Sequence, residues 1–125
     1  MRSSPARGTW AEDEAVRYLT ETRGFRLQAR NVRLAGGEID LVMRDGPTQV
    51  FVEVKARAAG AAVAAQAVSA DKRRRLSRAA ALWVARHGVP PGGCRFDVVT
   101  VAGKGSDTEL QHLPHAFETT GRWGI

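Results

Sequence analysis

Asp40, Glu53 and Lys55 are the residues of this chain whose types and spacing could do chemistry. They lie in GEIDLVMRDGPTQVFVEVKAR, residues 37–57, together with Glu38. Two halves of this stretch alternate apolar and polar residues, and Asp-Gly-Pro-Thr divides them, which reads as a β-hairpin. Two carboxylates and an ammonium held by paired strands could bind a hard divalent ion and polarise a water beside it. The competing reading is an ordinary hairpin whose charged face is solvated.

The apolar residues decide how the strands must pair. Ile39, Leu41 and Met43 are expected to share one face, and Val50, Val52 and Val54 to share the matching face. Burying both sets on one side, with Asp45–Thr48 as the loop, sets Met43 opposite Val50, Leu41 opposite Val52 and Ile39 opposite Val54. That register puts Asp40 opposite Glu53 and Glu38 opposite Lys55. Directly opposed β-carbons are only about 4.5–5.5 Å apart. Two carboxylates so close repel unless a cation or a proton intervenes. Val42 and Phe51 fall on the same face as these charges, so the face is expected to be partly covered, which makes unpaired charge more costly.

Other elements must hold the hairpin in place. Residues 7–23 read as a helix, with Trp10, Ala11, Ala15, Tyr18 and Leu19 on one face, Thr9 as cap and Gly24 as stop. Glu12 sits three residues after Thr9, as a capping-box partner would. Residues 25–34 read as a strand. Ser69 can cap a second helix that runs to about His87, with Leu76, Ala79, Ala80 and Trp83 as its apolar stripe. Lys72 falls on the stripe's side, facing the sheet, while Arg74, Arg75 and Arg78 face elsewhere. Residues 95–101 are a further strand, and 109–113 a short edge strand closed by Pro114. The fold class is therefore α/β, a mixed β-sheet flanked by α-helices in the order α-β-β-β-α-β-β.

At 125 residues the chain is expected to be one domain, with a core over about 7–117 and a loosely held tail at 118–125 in which Trp123 could dock. Hydrophobic content of 43% and charged content of 26% are globular rather than disordered or fibrous. Cys94 is the one cysteine, so no intrachain disulfide can form, and a reducing, cytoplasmic address is expected. The Ala-rich run 58–67 is too short and too weakly apolar to span a membrane, and the first residues lack the apolar core of a secretory signal. A net charge of +6 and a pI near 10.7 favour a polyanionic partner, although a compositional preference for Arg would give the same excess. His87, His112, His115 and Cys94 have no zinc spacing, and Gly103-Lys104-Gly105 reads as a turn rather than a phosphate-binding loop.

GEIDLV, VFVEVKAR, RFDVV and the N-terminal AEDEAVRYL together resemble the UPF0102 (YraN-like) family of small bacterial proteins, over about residues 7–117. That family is similar to the PD-(D/E)xK nucleases, close to the Holliday junction resolvases. The resemblance implies a restriction-endonuclease-like fold. It implies that Asp40 and Glu53, with the Val54 carbonyl, hold Mg²⁺ (or Mn²⁺), that Lys55 positions the attacking water, and that Glu12 completes the site. The capping-box reading of Glu12 stays open beside this one. The resemblance further implies a DNA partner of structured or branched form, a connection to DNA repair or recombination, and a homodimer as in resolvases that cut two strands. Lys72 and Arg73, at the start of the second helix, join Arg57 and Arg33 as candidate nucleic-acid contacts; a solvated basic surface is the alternative. Ala11 stands where the family usually has glycine. A nuclease-like fold does not by itself guarantee turnover, so an accessory protein that binds nucleic acid without cutting it is the second expectation.

Overall fold

Ala11, Ala15 and Leu19 recur every four residues, and this narrow stripe gives helix α1 (Thr9–Glu21) its buried edge. A computed structural model of the chain describes residues 9–57, 68–103 and 105–117. Trp10, expected on the same face, lies beside the stripe and is 39% exposed, whereas Tyr18 packs against the same cluster. Gly24, at a φ of 75°, ends the helix, and the Phe25 N–H closes onto the Leu19 carbonyl at 2.9 Å.

Five strands follow: β1 (Arg26–Leu34), β2 (Gly37–Asp45), β3 (Thr48–Ala56), β4 (Cys94–Ala102) and β5 (Glu109–Phe117). They form one sheet in sequence order, with β3 and β4 parallel and every other pair antiparallel. Parallel neighbours need a crossover, and helix α2 (Ala70–His87) supplies its helical part. Ser69 caps α2 by accepting the Lys72 N–H at 3.1 Å, and Gly88 closes its other end.

Each helix covers one face of the sheet. On the α1 side Leu41, Met43, Val50, Val52, Val99 and Val101 are buried; on the α2 side Val42, Phe51, Phe96 and Val98 pack under Leu76, Ala79, Ala80 and Trp83. The mixed α/β architecture and the order α-β-β-β-α-β-β are thus as the sequence indicates. Val42 and Phe51 are fully buried, so the face that carries the charges is covered.

Three details depart from expectation. Asp45 pairs with Thr48, so the β2–β3 turn is only Gly46-Pro47, with Gly46 at the positive φ (58°) that such a tight hairpin demands at its first position. Strand β5 does not stop at Pro114 but continues to Phe117; it is an edge strand, where a residue without an N–H is tolerated, and its register shifts near His115. Most consequential, Ile39 does not share a face with Leu41 and Met43. It packs on the α2 side with Val42 and Phe51. The expected helix start at Arg7 and Gly8, the side chain of Thr9, the Ala-rich run 58–67, Lys104 and the tail from 118 with Trp123 lie outside the described residues.

Candidate functional site

The switch of faces between Ile39 and Leu41 occurs at Asp40, and two backbone features produce it. On the β1 side, Asn31 adopts a left-handed φ of 53°, while Arg30 pairs with Leu41 and Val32 with Ile39. On the β3 side, pairing with β2 stops at Leu41–Val52 among the described residues. The expected Ile39–Val54 pair is absent because the Asp40 carboxylate takes its place, Oδ2 accepting the Val54 N–H at 2.8 Å. Asp40 therefore reaches across to β3 rather than standing beside Glu53 on a regular ladder.

Glu53 points to the α2 side, two residues from Phe51, and its side chain is only 4% exposed. One oxygen, Oε2, accepts from the Lys72 ammonium; the other, Oε1, is buried with no hydrogen-bond partner among the described residues. An orphaned carboxylate oxygen is among the costlier groups to bury. Asp40 registers the same stress: burial and then the charge of Glu53 push its carboxyl up from 3.8 to about 7. The Val54 N–H and Lys72 pull it down, and the Glu12 charge adds to the rise.

Glu12 thus leans into the same neighbourhood from the first turn of α1. Its carboxylate accepts from Asn31 Nδ2 at 3.2 Å and from Arg30 at 3.5 Å, bonds that turn it toward β1 and the site. Lys55 lies two residues beyond Glu53 on the same side of β3, half-buried, and has no hydrogen-bond or ion-pair partner among the described residues. Asp40, Glu53, Lys55 and Glu12 are hence gathered at one end of the sheet.

The basic residues divide. Lys72 faces the sheet, as its place on the stripe requires, and sits on Glu53. Arg33 is exposed and bonds Glu38 at 3.2 Å, and Asn31 also donates to Glu38, so Glu38 is held on the β1 side. Arg57 is enclosed, its guanidinium donating to Thr100 at 3.0 Å and lying 3.7 Å from Glu109. Arg73 donates to the Val68 carbonyl and stacks over Phe117. These last two brace the sheet edge. Sequence reading had no signal for the Asn31 clamp on Glu12, because it depends on a non-glycine residue adopting a left-handed conformation.

A cavity of about 280 Å³ opens beside Asp40, walled by Gly36, Gly37, Lys72 and Arg75 among others. Gly37 permits it: a β-carbon there would lie 2.4 Å from the Arg75 carbonyl oxygen, so only glycine lets α2 approach this closely. No three His, Cys, Asp or Glu side chains converge as a metal cage among the described residues. Two carboxylates and a backbone carbonyl suit Mg²⁺ instead, which keeps several waters and takes substrate phosphate for its other positions. The buried, unbonded Glu53 oxygen beside a second carboxylate fits a cation of that kind.

Fold and site together define a small mixed α/β domain with a carboxylate–carboxylate–lysine cluster at one end of its sheet. The model of the uncharacterised protein family UPF0102 matches residues 11–101, and the chain belongs to that family. A UPF0102 protein of Geobacter metallireducens is 43% identical over 112 residues, which cover 89% of this chain and 91% of the relative. One from Herminiimonas arsenicoxydans is 46% identical over 113 residues (90% and 86%), and one from Halorhodospira halophila 51% over 98 residues (78% of each). No helix among the described residues is long and apolar enough to cross a membrane.

Proposed function

We propose that this protein binds nucleic acid, DNA foremost, at the Asp40 end of the sheet and hydrolyses phosphodiester bonds there with Mg²⁺ or Mn²⁺. The observation that carries the reading is the buried Glu53 oxygen without a partner among the described residues, next to an Asp40 whose carboxyl is pushed up to about 7. Asp40, Glu53 and the Val54 carbonyl would hold the cation, whose chemistry is to activate water and neutralise charge developing on phosphorus. Asp40 is already oriented by the Val54 N–H, so little ordering remains when a cation arrives. Lys55, without a partner among the described residues, is placed to hold the attacking water or the negative charge of the transition state. Glu12, turned by Asn31 and Arg30, adds negative charge that draws the cation in. Arg33, on the open surface, supplies backbone phosphate contact. The same carboxylate, carboxylate and lysine pattern marks the PD-(D/E)xK nucleases, which supports the reaction class by resemblance.

Cleavage of branched, single-stranded and duplex DNA, with Mg²⁺, Mn²⁺ or EDTA, tests this. Metal-dependent cutting that falls at least about a hundredfold in Lys55→Ala and vanishes in Asp40→Asn is the expected result. Equal products from wild type and both variants would sink it. The ion pair between Lys72 and Glu53 favours a second reading, in which an ammonium alone neutralises the cleft and the protein binds nucleic acid without turnover. DNA retardation on a gel with no metal-dependent product would select that reading.

A further inference from the structure

Lys72 already occupies the carboxylate that the cation needs. Its ammonium bonds Glu53 Oε2, while its side chain, 35% exposed, also forms part of the wall of the 280 Å³ cavity beside Asp40. Lysine carries its charge on a flexible four-carbon stem, so the ammonium can leave Glu53 without any movement of the helix. The backbone stays fixed by the Ser69 cap, whose Oγ accepts the Lys72 N–H at 3.1 Å. The rest of the wall gives the ammonium a place to go: Gly36 and Gly37 leave room, and Glu38 lines the cavity as a carboxylate beside which a lysine ammonium is tolerated.

We propose that Lys72 is an internal stand-in for the divalent cation, and that its displacement couples cation binding to phosphate binding. Without the ion, the ammonium neutralises Glu53 and keeps two closely placed carboxylates tolerable. When the ion takes Glu53, the ammonium swings into the cavity and meets a phosphate oxygen of the nucleic acid. The two ligands then help one another through one side chain, and the help is reciprocal. This rests on the cation site proposed above but adds a residue that acts on the cation by competing with it.

Binding of Mn²⁺, read from the loss of the free-ion electron paramagnetic resonance signal, tests the competition without reference to cleavage. Lys72→Met keeps the stem and removes the charge, and is expected to bind Mn²⁺ on the order of tenfold more tightly than wild type. In wild type, Mn²⁺ should strengthen binding of a short duplex; in Lys72→Met that gain should shrink to what the cation alone contributes. Equal or weaker Mn²⁺ binding by Lys72→Met, with wild type binding normally, would overturn the role of Lys72 and leave the cation site standing. No binding by either protein would overturn both. A measurement on wild type alone guards against a misfolded variant: the Lys72 side-chain ¹³Cε resonance should move when Mg²⁺ is added, and a resonance that stays in place contradicts the proposal.

Discussion

Two aspartates on the strands that flank β3 meet opposite fates. Asp97, on β4, is completely buried, yet it accepts from His112 Nε2 at 2.7 Å, Arg95 Nε at 3.0 Å and the His115 N–H at 3.1 Å. Burial alone would raise its carboxyl, but these bonds and the Arg95 charge outweigh it and hold the group below the ordinary value. Asp40 has one backbone donor, faces a second carboxylate and is pushed the other way, to about 7. A carboxylate whose charge is fully answered by its own protein is part of the structure. One whose charge is left unanswered is waiting for something else.

The largest effect that separates them is on stability. Asp97→Asn removes the buried carboxylate to which Arg95 and His112 donate, and should cost about 3–5 kcal/mol in urea unfolding. A loss below about 1 kcal/mol would show that the cluster is not the anchor described. Asp40→Asn should do the reverse: its carbonyl oxygen can still accept the Val54 N–H, while the repulsion with Glu53 is gone. A gain on the order of 1 kcal/mol, together with loss of cleavage, is expected.

The pH dependence sharpens the contrast. Asp97 is lowered in the fold, so its contribution is present above the ordinary carboxylate value of 3.8 and is lost as pH falls below it. Asp40 is raised, so its contribution is full below 3.8 and is lost as pH climbs toward about 7. In EDTA, the stability difference between Asp40→Asn and wild type should therefore grow from about pH 4 to about pH 7 and then level off. A difference that stays flat across that range would show that Asp40 is not strained. The smallest effect belongs to the surface: Arg33→Ala should leave stability within about 0.5 kcal/mol and reduce the salt dependence of DNA binding by roughly one phosphate contact.

How much of this was legible in the residues follows from the same contrast. The pairs Met43–Val50 and Leu41–Val52 were readable because both strands bury apolar residues at every second position there. So were both ends of α2, where Ser69 and Gly88 act locally, and the inward aim of Lys72. The break at Asp40 was not readable. Alternation presumes an unbroken ladder, whereas a side-chain carboxylate captures the Val54 N–H and a left-handed Asn31 re-phases the strand. Nor could the sequence show that Asp97, within RFDVV, would find three donors from residues up to 18 positions away. Those bonds depend on the β4–β5 register, and Pro114 gave no hint that the strand continues past it.

The central claim is that the carboxylates of Asp40 and Glu53 form a divalent-cation site. Crystals soaked in MnCl₂ and measured at the manganese absorption edge test it directly. The account predicts an anomalous peak about 2.1 Å from a carboxylate oxygen of each residue, with the Lys72 ammonium moved off Glu53. Crystals that show no peak there, with Lys72 still seated on Glu53 at saturating manganese, would contradict it.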